Sequence, residues 1–222
     1  TGFNLMAHEL SVTEILQTDF VSNVSHEFKT PITAIEGFSV LLQESENLDE
    51  DQLDCIDKIL FNSRRLSSLL GSILLLNKLE NQQVSTKQSR YRLDEQIRQS
   101  VVALEPAWEQ KNIELDVDLE RVYYCGSESM MRHVWDNLIA NAIKFTPENS
   151  TVKILLREEG AHLTVRVSDQ GPGLSEETQK HMFDKFYQGD TSHKQDGNGL
   201  GLALVKRILS IEQAGIYAEN LP

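Results

Sequence analysis

The sequence predicts two domains: an all-α helical hairpin forming a dimeric four-helix bundle, and after it an α/β two-layer sandwich. Before residue 81, apolar residues recur at an average spacing of roughly 3.5, which is typical of long packed helices. The stretch 81–90 (NQQVSTKQSR) is polar and aperiodic, as a linker is. Beyond it, short alternating segments of the kind found in strands are mixed with helical ones. This change of pattern marks the predicted domain boundary.

The first predicted helix runs from about residue 3 to residue 44 and carries one apolar stripe, which the spacing predicts to be buried. The stripe consists of Val21, Val24, Phe28, Ile32, Ile35, Phe38 and Leu42. His26 projects about 180° from the centre of the stripe, and Thr30 shares that outward face one turn later. Pro31 removes a backbone donor, so we expect a kink near residues 27–31. Since no packing requirement explains an outward histidine here, His26 is a candidate for chemistry.

The second predicted helix spans residues 51–80 and follows a polar turn at 44–50 (ESENLDE). Ile59, Leu66 and Ile73 lie seven residues apart, a heptad spacing. The positions between them are filled by further apolar residues, namely Leu53, Ile56, Leu60, Leu70 and Leu74. Two antiparallel helices bury only part of such surfaces. The association of two copies into a four-helix bundle is therefore the simplest completion.

The second domain is predicted to contain three helices and three strands. The helices span 94–110, 127–144 and 200–213, and the strands 113–119, 152–156 and 163–167. Pro106 is expected to distort the first of these helices, and Ser127 is a plausible N-cap of the second. Glu159-Gly160 is the expected turn of a hairpin. The polar, glycine-punctuated stretch 188–199 is expected to form a mobile loop.

Composition limits the classes of partner. The 222 residues carry a formal net charge of −13, which argues against nucleic acid because phosphate contacts need clustered Lys and Arg. Cys55 and Cys125 are isolated in the sequence, so neither a zinc site nor a disulfide framework is indicated, and a reducing compartment fits. No apolar run approaches the length of a membrane span. The chain opens on Thr1 rather than Met, which is compatible with a piece of a longer protein.

One predicted helix face carries Asn137, Asn141 and Lys144 at positions i, i+4 and i+7. Amide oxygens and an ammonium group suit Mg²⁺ with bound phosphates. A polar, solvated face is the other interpretation, and these three residues alone favour it. Asp169, after the strand at 163–167, continues that strand's buried phase. A buried carboxylate needs donors, and the amino group of a ligand is one candidate; an ordinary strand-to-turn exit is the alternative.

Two further motifs surround the predicted mobile loop. Residues 197–202 (GNGLGL) open a helix, where backbone N–H groups can bind phosphate, although such a glycine pattern is weak by itself. A dinucleotide-binding βαβ unit is excluded because no strand immediately precedes these glycines. Residues 183–187 (FDKFY) form an aromatic cluster. Local core packing is sufficient to explain this cluster, and an anchor for a nucleotide lid is the functional interpretation.

The order of these motifs resembles that of the sensor histidine kinase family of two-component systems. The matching motifs are SHEFKTP at 25–31, NLIANAIKFT at 137–146, DQGPG at 169–173, FDKFY at 183–187 and GNGLGL at 197–202. The resemblance covers nearly the whole chain. It implies a HAMP-like end of an upstream signalling helix at 1–15, a dimerisation and histidine-phosphotransfer domain at 16–82, a linker at 83–91, and a gyrase-type ATP-binding catalytic domain at 92–222.

By this resemblance, His26 is the phosphoacceptor and Glu27 the general base that polarises it. Thr30 occupies the position that orients a water in relatives with phosphatase activity. Capping or surface solvation for Glu27, and hydrogen bonding of Thr30 back to its own helix, are the alternative interpretations. The resemblance further implies a homodimer whose partner is a response regulator receiver domain. It places this region on the cytoplasmic side of a membrane-anchored sensor, with no direct membrane contact and no nucleic acid.

The resemblance also implies an ATP·Mg²⁺ site. Asn141 corresponds to the Mg²⁺ ligand, Asn137 and Lys144 to phosphate or metal contacts, and Asp169 to the acceptor of the adenine amino group. The remaining site residues border the nucleotide or its lid; they are Phe145, Gly171, Gly173, Lys185, Gly197, Gly199, Leu200 and Gly201. Gln188 stands where many relatives carry an Arg, so Lys185 or Lys194 is expected to supply charge, or transfer is slower. After Ile211 the chain is compressed relative to the family pattern.

Two other functions remain open. A gyrase-like or chaperone-like ATPase would share the nucleotide pocket, but it uses a catalytic Glu near the position of Asp136 and lacks a histidine-bearing hairpin. A dimeric scaffold that binds nucleotide without transferring phosphate is the non-enzymatic alternative, and Gln188 keeps it in consideration. His26, Asn141, Asp169 and the lid glycines favour the kinase.

Overall fold

The computed structural model describes residues 28–45, 48–81, 87–160, 162–189 and 198–221. The chain divides into two compact units, Thr1–Val84 and Ser85–Pro222. In the first unit, helix α1 covers 28–43 without interruption at Pro31, and α2 spans Glu50–Glu80. The predicted helix before residue 28, and with it residue 27 of the expected kink region, lies outside the described residues.

Helix α2 begins with a capping box. The Asp49 carboxylate accepts from the backbone N–H of Gln52 at 2.7 Å, and the Gln52 side chain accepts from the N–H of Asp49 at 3.0 Å. Each side chain thereby satisfies a backbone donor that the first turn leaves without a partner. The predicted helix at 51–80 is confirmed, while residues 46 and 47 of the predicted turn before it lie outside the described residues.

Contacts between α1 and α2 define an antiparallel hairpin. Near the turn, the Gln43 amide donates to Asp57 Oδ1 at 2.9 Å. Farther along, the Ser67 hydroxyl donates to Glu36 Oε1 at 3.2 Å. These side-chain bonds accompany a small buried seam formed by Ile32, Ile56 and Leu60. The two helices therefore pack along one face each.

Most of the predicted apolar stripe of α1 is exposed in the single chain. Ile32 is buried, but Phe28, Ile35, Phe38 and Leu42 are about half exposed or more. The expectation that the whole stripe is buried is wrong for one copy, because a two-helix hairpin offers each helix only one covering neighbour. Further exposed apolar side chains lie along both helices, namely Val40, Leu41, Leu53, Ile59, Phe61 and Leu66.

Helix α2 also differs from the sequence expectation in another respect. By length and composition alone, this helix is long and apolar enough to cross a membrane. Its apolar content is not visible as one continuous run in the sequence, because polar residues such as Asn62 and Arg64 interrupt it. The same apolar content is what a bundle helix with several covered faces requires.

In the second unit, the main sheet contains β2 (Glu114–Leu119), β4 (Thr151–Glu159) and β5 (His162–Ser168). The strand order is β2-β4-β5, with β2 parallel to β4 and β4 antiparallel to β5. Gly160, in the turn between β4 and β5, has φ +65°, a conformation that glycine adopts without strain. The three predicted strands and the hairpin are confirmed.

A second, small sheet pairs β1 (Ser89–Arg92) with β3 (Tyr123–Gly126) in antiparallel register. The sequence pattern does not predict either strand, and it places Ser89 and Arg90 in the linker. Strands of four residues are too short for a period-two pattern to stand out.

The described part of the second unit contains five helices. They are α3 (Leu93–Ala103), α4 (Glu105–Gln110), α5 (Glu128–Phe145), a short α6 (Glu176–His181) and α7 (Gly201–Ile211). The predicted helix at 94–110 is divided at Leu104, and Pro106 lies in the first turn of the second part, where proline is tolerated. Helix α5 packs against both α3 and α7. Its fully buried residues Val134 and Ile139 join a core that includes Ile97, Val152, Ile154, Leu156, Val205 and Ile208.

The N-terminus of α5 is held by a distant carboxylate. Ser127 occupies the N-cap position, as predicted, but its side chain makes no capping hydrogen bond. Instead, its backbone N–H donates to Glu212 Oε1 at 3.1 Å, and the Tyr124 hydroxyl donates to Glu212 Oε2 at 3.2 Å. Burial, with the Glu212 charge as a further cause, raises the pKa of Tyr124 to about 12. Since Glu212 follows α7, this contact ties α5 to α7.

Candidate functional site

Helix α5 presents the predicted polar face. Asn137, Asn141, Lys144 and the terminal Phe145 are all half-buried, so this face is not a fully solvated surface. The Lys144 ammonium lies 4.7 Å from the centroid of the Phe145 ring. This arrangement keeps a positive charge over an aromatic face at the end of the helix.

The start of α7 lies directly against this face. A Cβ atom at Gly201 would come within 2.4 Å of Asn137 Oδ1. The Asn137 amide is itself fixed, because its Nδ2 donates to the His133 carbonyl at 2.7 Å. Glycine at residue 201 therefore permits the first turn of α7 to approach the Asn137 amide.

A backbone hydrogen bond joins Phe186 to Gly199, just before α7. The Phe186 N–H donates to the Gly199 carbonyl at 2.8 Å, and both residues have positive φ, +63° and +65°. A Cβ at Gly199 would lie 2.6 Å from the Phe186 carbonyl carbon, so only glycine fits. Asn198 Oδ1 accepts from the N–H of Leu200, whose side chain is buried.

Asp169 lies just after the last residue of β5, at the end of the sheet. Its side chain is exposed, and Oδ1 accepts from the Gly171 N–H at 2.8 Å. The expectation that Asp169 is buried is wrong, because the alternation of a strand applies only while a packed layer covers it, and β5 ends at Ser168. A Cβ at Gly171 would lie 3.2 Å from the Phe145 carbonyl oxygen. The Asp169 turn thus abuts the C-terminal end of α5.

The other side of this turn is held by a residue that the sequence analysis missed. The Asn220 side chain accepts from the Leu174 N–H and donates to the Leu174 carbonyl, each at 2.8 Å. Gly173, with φ +76°, has its Cβ position 3.2 Å from Asn220 Oδ1. An asparagine near the chain end gives no local signal of a contact 46 residues away.

The structure therefore gathers two groups of the predicted site residues on α5. Asn137 meets Gly201 at mid-helix, and Phe145 meets the Gly171 turn at the C-terminal end. Lys185 is exposed beside the Phe186–Gly199 closure, and Thr30 is exposed on α1 of the other unit. His26, Glu27, Gly197 and Lys194 lie outside the described residues.

Two family models match this chain. The histidine kinase-, DNA gyrase B- and HSP90-like ATPase family matches residues 126–220, which contain the α5, Asp169 and α7 site. The His Kinase A (phospho-acceptor) domain matches residues 16–82, which contain the helical hairpin.

Curated relatives and solved structures agree with these matches. The heme sensor protein HssS of Staphylococcus epidermidis is 32% identical over 214 residues, covering 96% of this chain and 47% of HssS. Full-length ShkA in complex with AMPPNP has a TM-score of 0.71 at 26% identity, over 86% of this chain and 40% of that chain. The histidine kinase ThkA in complex with the response regulator protein TrrA has a TM-score of 0.61 at 26% identity, over 91% of this chain and 57% of that chain.

The chain spans about half the length of the curated relatives it matches. Its two matched regions occur in the order phospho-acceptor domain, then ATPase-like domain. The helical hairpin and the α/β sandwich follow the same order. The chain belongs to the sensor histidine kinase family of two-component systems.

Proposed function

We propose that this chain transfers the γ-phosphoryl group of ATP to His26, and from there to an aspartate of a response regulator. The observation that carries the proposal is the half-buried face of α5, against which Gly201 of α7 and the Asp169 turn are packed. This face lies in the ATPase-like part of a chain whose other part matches the phospho-acceptor domain. The proposed domain limits are those given above: 1–15, 16–82, 83–91 and 92–222.

The adenine end of the proposed site is the turn after β5. The Asp169 carboxylate accepts a hydrogen bond from the Gly171 N–H. It has further lone pairs with which to accept a hydrogen bond from the adenine amino group. Gly171 lies between the Asp169 carboxylate and the end of α5, where a side chain would intrude. Gly173 and Phe145 complete this end. The exposure of Asp169 is compatible with a ligand that approaches from solvent.

The phosphate end is proposed to lie along Asn137, Asn141 and Lys144. Among the described residues, no group of three or more His, Cys, Asp or Glu could hold a metal ion. The amide oxygens of Asn137 and Asn141 fit Mg²⁺, which typically takes one or two protein ligands and completes its coordination with phosphate oxygens and water. Asn141 is the proposed ligand. Bound Mg²⁺ would neutralise phosphate charge, while Lys144 adds a point charge and Asn137 orients the phosphates.

The lid is proposed to comprise Gly197, Gly199, Leu200 and Gly201. Backbone N–H groups near the start of α7 face phosphate in this arrangement, and the Gly199–Phe186 bond fixes where the lid begins. Lys185 is exposed close to that bond and is proposed to contact phosphate in place of the Arg that many relatives carry at the position of Gln188.

In the transfer step, a neutral His26 nitrogen attacks the γ-phosphorus of ATP; a P–N bond forms and the P–O bond to ADP breaks. Glu27 is proposed to accept or hold the proton on the other ring nitrogen. Thr30 is proposed to orient a water that hydrolyses the regulator's phosphoaspartate. The exposure of Thr30 on α1 leaves it accessible to such a partner.

The proposed partners are a second copy of the chain and a response regulator receiver domain. The exposed apolar side chains of α1 and α2 supply the surface for a four-helix bundle. The ThkA structure, solved with the response regulator TrrA, supports a regulator as partner. We further propose that this region is the cytoplasmic part of a membrane-anchored sensor.

The proposal is tested by incubating the chain with γ-labelled ATP and Mg²⁺ and then adding a candidate receiver domain. We expect label on the protein that is labile in acid and stable in base, as a phosphoramidate is, and that moves to the receiver. Hydrolysis of ATP without labelled protein would instead favour the gyrase-like ATPase. Nucleotide binding without hydrolysis or label would favour the scaffold.

A further inference from the structure

The C-terminal end of α5 needs hydrogen-bond donors that the helix itself does not provide. The carbonyl groups of a last helical turn have no partner within the helix. The residue that would normally donate to the Ile143 carbonyl is Pro147, which has no N–H. Thr146, the C-cap, has ψ 132° and so leaves the helical path. Donors for these carbonyls must therefore come from elsewhere.

Lys111 supplies them. Its ammonium donates to three carbonyl oxygens at the end of α5: Ile143 at 2.9 Å, Lys144 at 2.6 Å and Thr146 at 2.9 Å. An ammonium has three N–H groups and no acceptor, so each donor is matched to one carbonyl. Its positive charge also lies at the negative end of the helix dipole.

The backbone around Lys111 is fixed to the chain that follows α5. The Lys111 carbonyl accepts from the Asn149 N–H at 3.0 Å, and the Asn112 amide donates to Asn149 Oδ1 at 2.6 Å. Asn112 itself has φ +52°, which sets the sharp turn into β2. The ammonium is thus held in place from both sides of the junction.

The end of α5 that Lys111 caps is a wall of the proposed nucleotide site. Lys144 and Phe145 are its last residues, and the Phe145 carbonyl faces Gly171 in the Asp169 turn. If the last turn of α5 frays, the Lys144 ammonium and the support of the Asp169 turn move together. The phosphate end and the adenine end would both be displaced.

We propose that Lys111 is a positioning residue for ATP, acting through the last turn of α5. The inference rests on the proposed function and adds a residue that occurs in none of the motifs above. Lys111 has its three donors engaged with carbonyl oxygens and acts without touching the nucleotide.

Two substitutions separate geometry from charge. Lys111→Met removes the charge and all three hydrogen bonds. Lys111→Arg keeps the charge and the long stem, but a planar guanidinium cannot direct three donors to three converging carbonyls. The matched control is Lys153→Met, since Lys153 is an exposed lysine of the same unit that forms a salt bridge with Asp116 on the neighbouring strand.

The measurements are the dissociation constant for ATP·Mg²⁺, the KM and kcat of autophosphorylation, and amide exchange without nucleotide, all well below the unfolding temperature. For Lys111→Met, we expect the dissociation constant and KM to rise by about tenfold to a hundredfold. Lys111→Arg should give a smaller rise, and Lys153→Met none. The Thr146 amide, which donates to Ala142, should exchange faster in both Lys111 variants. A merely structural residue would lower the unfolding temperature and leave affinity per folded molecule unchanged.

The inference is overturned if Lys111→Arg binds ATP as tightly as the unaltered chain, and this result decides the matter even if Lys111→Met does not fold. Weaker binding by Lys111→Arg together with faster Thr146 exchange supports it. Failure of the unaltered chain to bind ATP would overturn the proposed function first and the inference with it, so the two failures are distinguishable.

Discussion

Asp94, at the start of α3, is a fully buried carboxylate. Arg92 Nε donates to its Oδ1 at 2.8 Å, and Arg98 Nη1 donates to its Oδ2 at 2.7 Å. The hydrogen bonds from Arg92, and next the one from Arg98, hold the pKa of Asp94 well below its usual range despite burial. A neutral side chain at this position would leave two guanidinium groups without their shared partner.

Asp94→Asn is expected to lower the free energy of unfolding of the α/β unit by about 2 kcal/mol at pH 7, because a buried ion pair is broken on one side. Both tryptophans, Trp108 and Trp135, lie in this unit, so denaturant unfolding followed by tryptophan fluorescence measures it. Asp116→Asn is the control. Its partner Lys153 and Asp116 itself are both more than half exposed, so it should change little.

The difference in free energy of unfolding between the unaltered chain and Asp94→Asn depends on pH in a definite direction. A carboxyl group whose pKa is lowered by folding stabilises the protein above its unfolded pKa of about 3.9. That contribution is lost as the pH falls through this value towards the lower folded pKa. The gap between the unaltered chain and Asp94→Asn should therefore narrow below about pH 4. A gap that stays constant from pH 7 to pH 3 would contradict the role of the charge.

Single residues of the site could be predicted only where the signal is local. The helical spacing of Asn137, Asn141 and Lys144 was sufficient to place them on one half-buried face. The prediction that Asp169 is buried was wrong because the alternation of β5 was extended past the end of the strand. Lys111 and Glu212 could not be found, since their partners lie 32 to 35 and 85 to 88 residues away.

At the scale of elements, the α5–α7 pair positions the site. The two helices are tied by Glu212 at the N-terminus of α5 and meet again where Gly201 contacts Asn137. The sequence pattern of both helices predicted that they form. It could not predict how closely they approach, which depends on one glycine opposite one amide.

Gly201→Ala is expected to raise the KM for ATP several-fold, because the added Cβ displaces the Asn137 amide. Alanine is the better helix former by at most about 1 kcal/mol, which offsets part of the cost of moving the Asn137 amide, so the stability of the unit should change little. Thermal unfolding and autophosphorylation kinetics on the same samples measure the two effects.

Gly71→Ala on α2 is the matched control, because a Cβ there meets nothing within 4 Å. It should leave the KM unchanged. If Gly201→Ala also leaves the KM unchanged, then contact with Asn137 has no part in ATP binding.

The elements that the sequence missed are the short ones. Strands β1 and β3 have four residues each and α6 has six, too few for a period to repeat. The division of 94–110 into α3 and α4 was foreseen only as a distortion at Pro106. Helices α2 and α5, and the strands with three alternating apolar residues, were predicted correctly because each pattern repeats several times.

At the scale of the whole molecule, the hairpin exposes more apolar surface than one copy can cover. Phe38 is 68% exposed and Leu41 63%. We expect the chain to sediment as a dimer at micromolar concentration and Phe38→Glu to weaken that dimer. Phe186→Glu, which alters a similarly exposed phenylalanine in the α/β unit, should not. A monomer at all concentrations would contradict the four-helix bundle.

The central claim is that this chain phosphorylates itself on His26. The chain has six histidines, so locating the phosphoryl group on one of them distinguishes His26 from five other candidates. The most direct measurement is tandem mass spectrometry of peptides from the chain after incubation with ATP and Mg²⁺, kept at alkaline pH to preserve phosphohistidine. The account predicts a phosphoryl group on His26 and none in the His26→Gln variant. Phosphorylation of another histidine, or an undiminished level in His26→Gln, would contradict it.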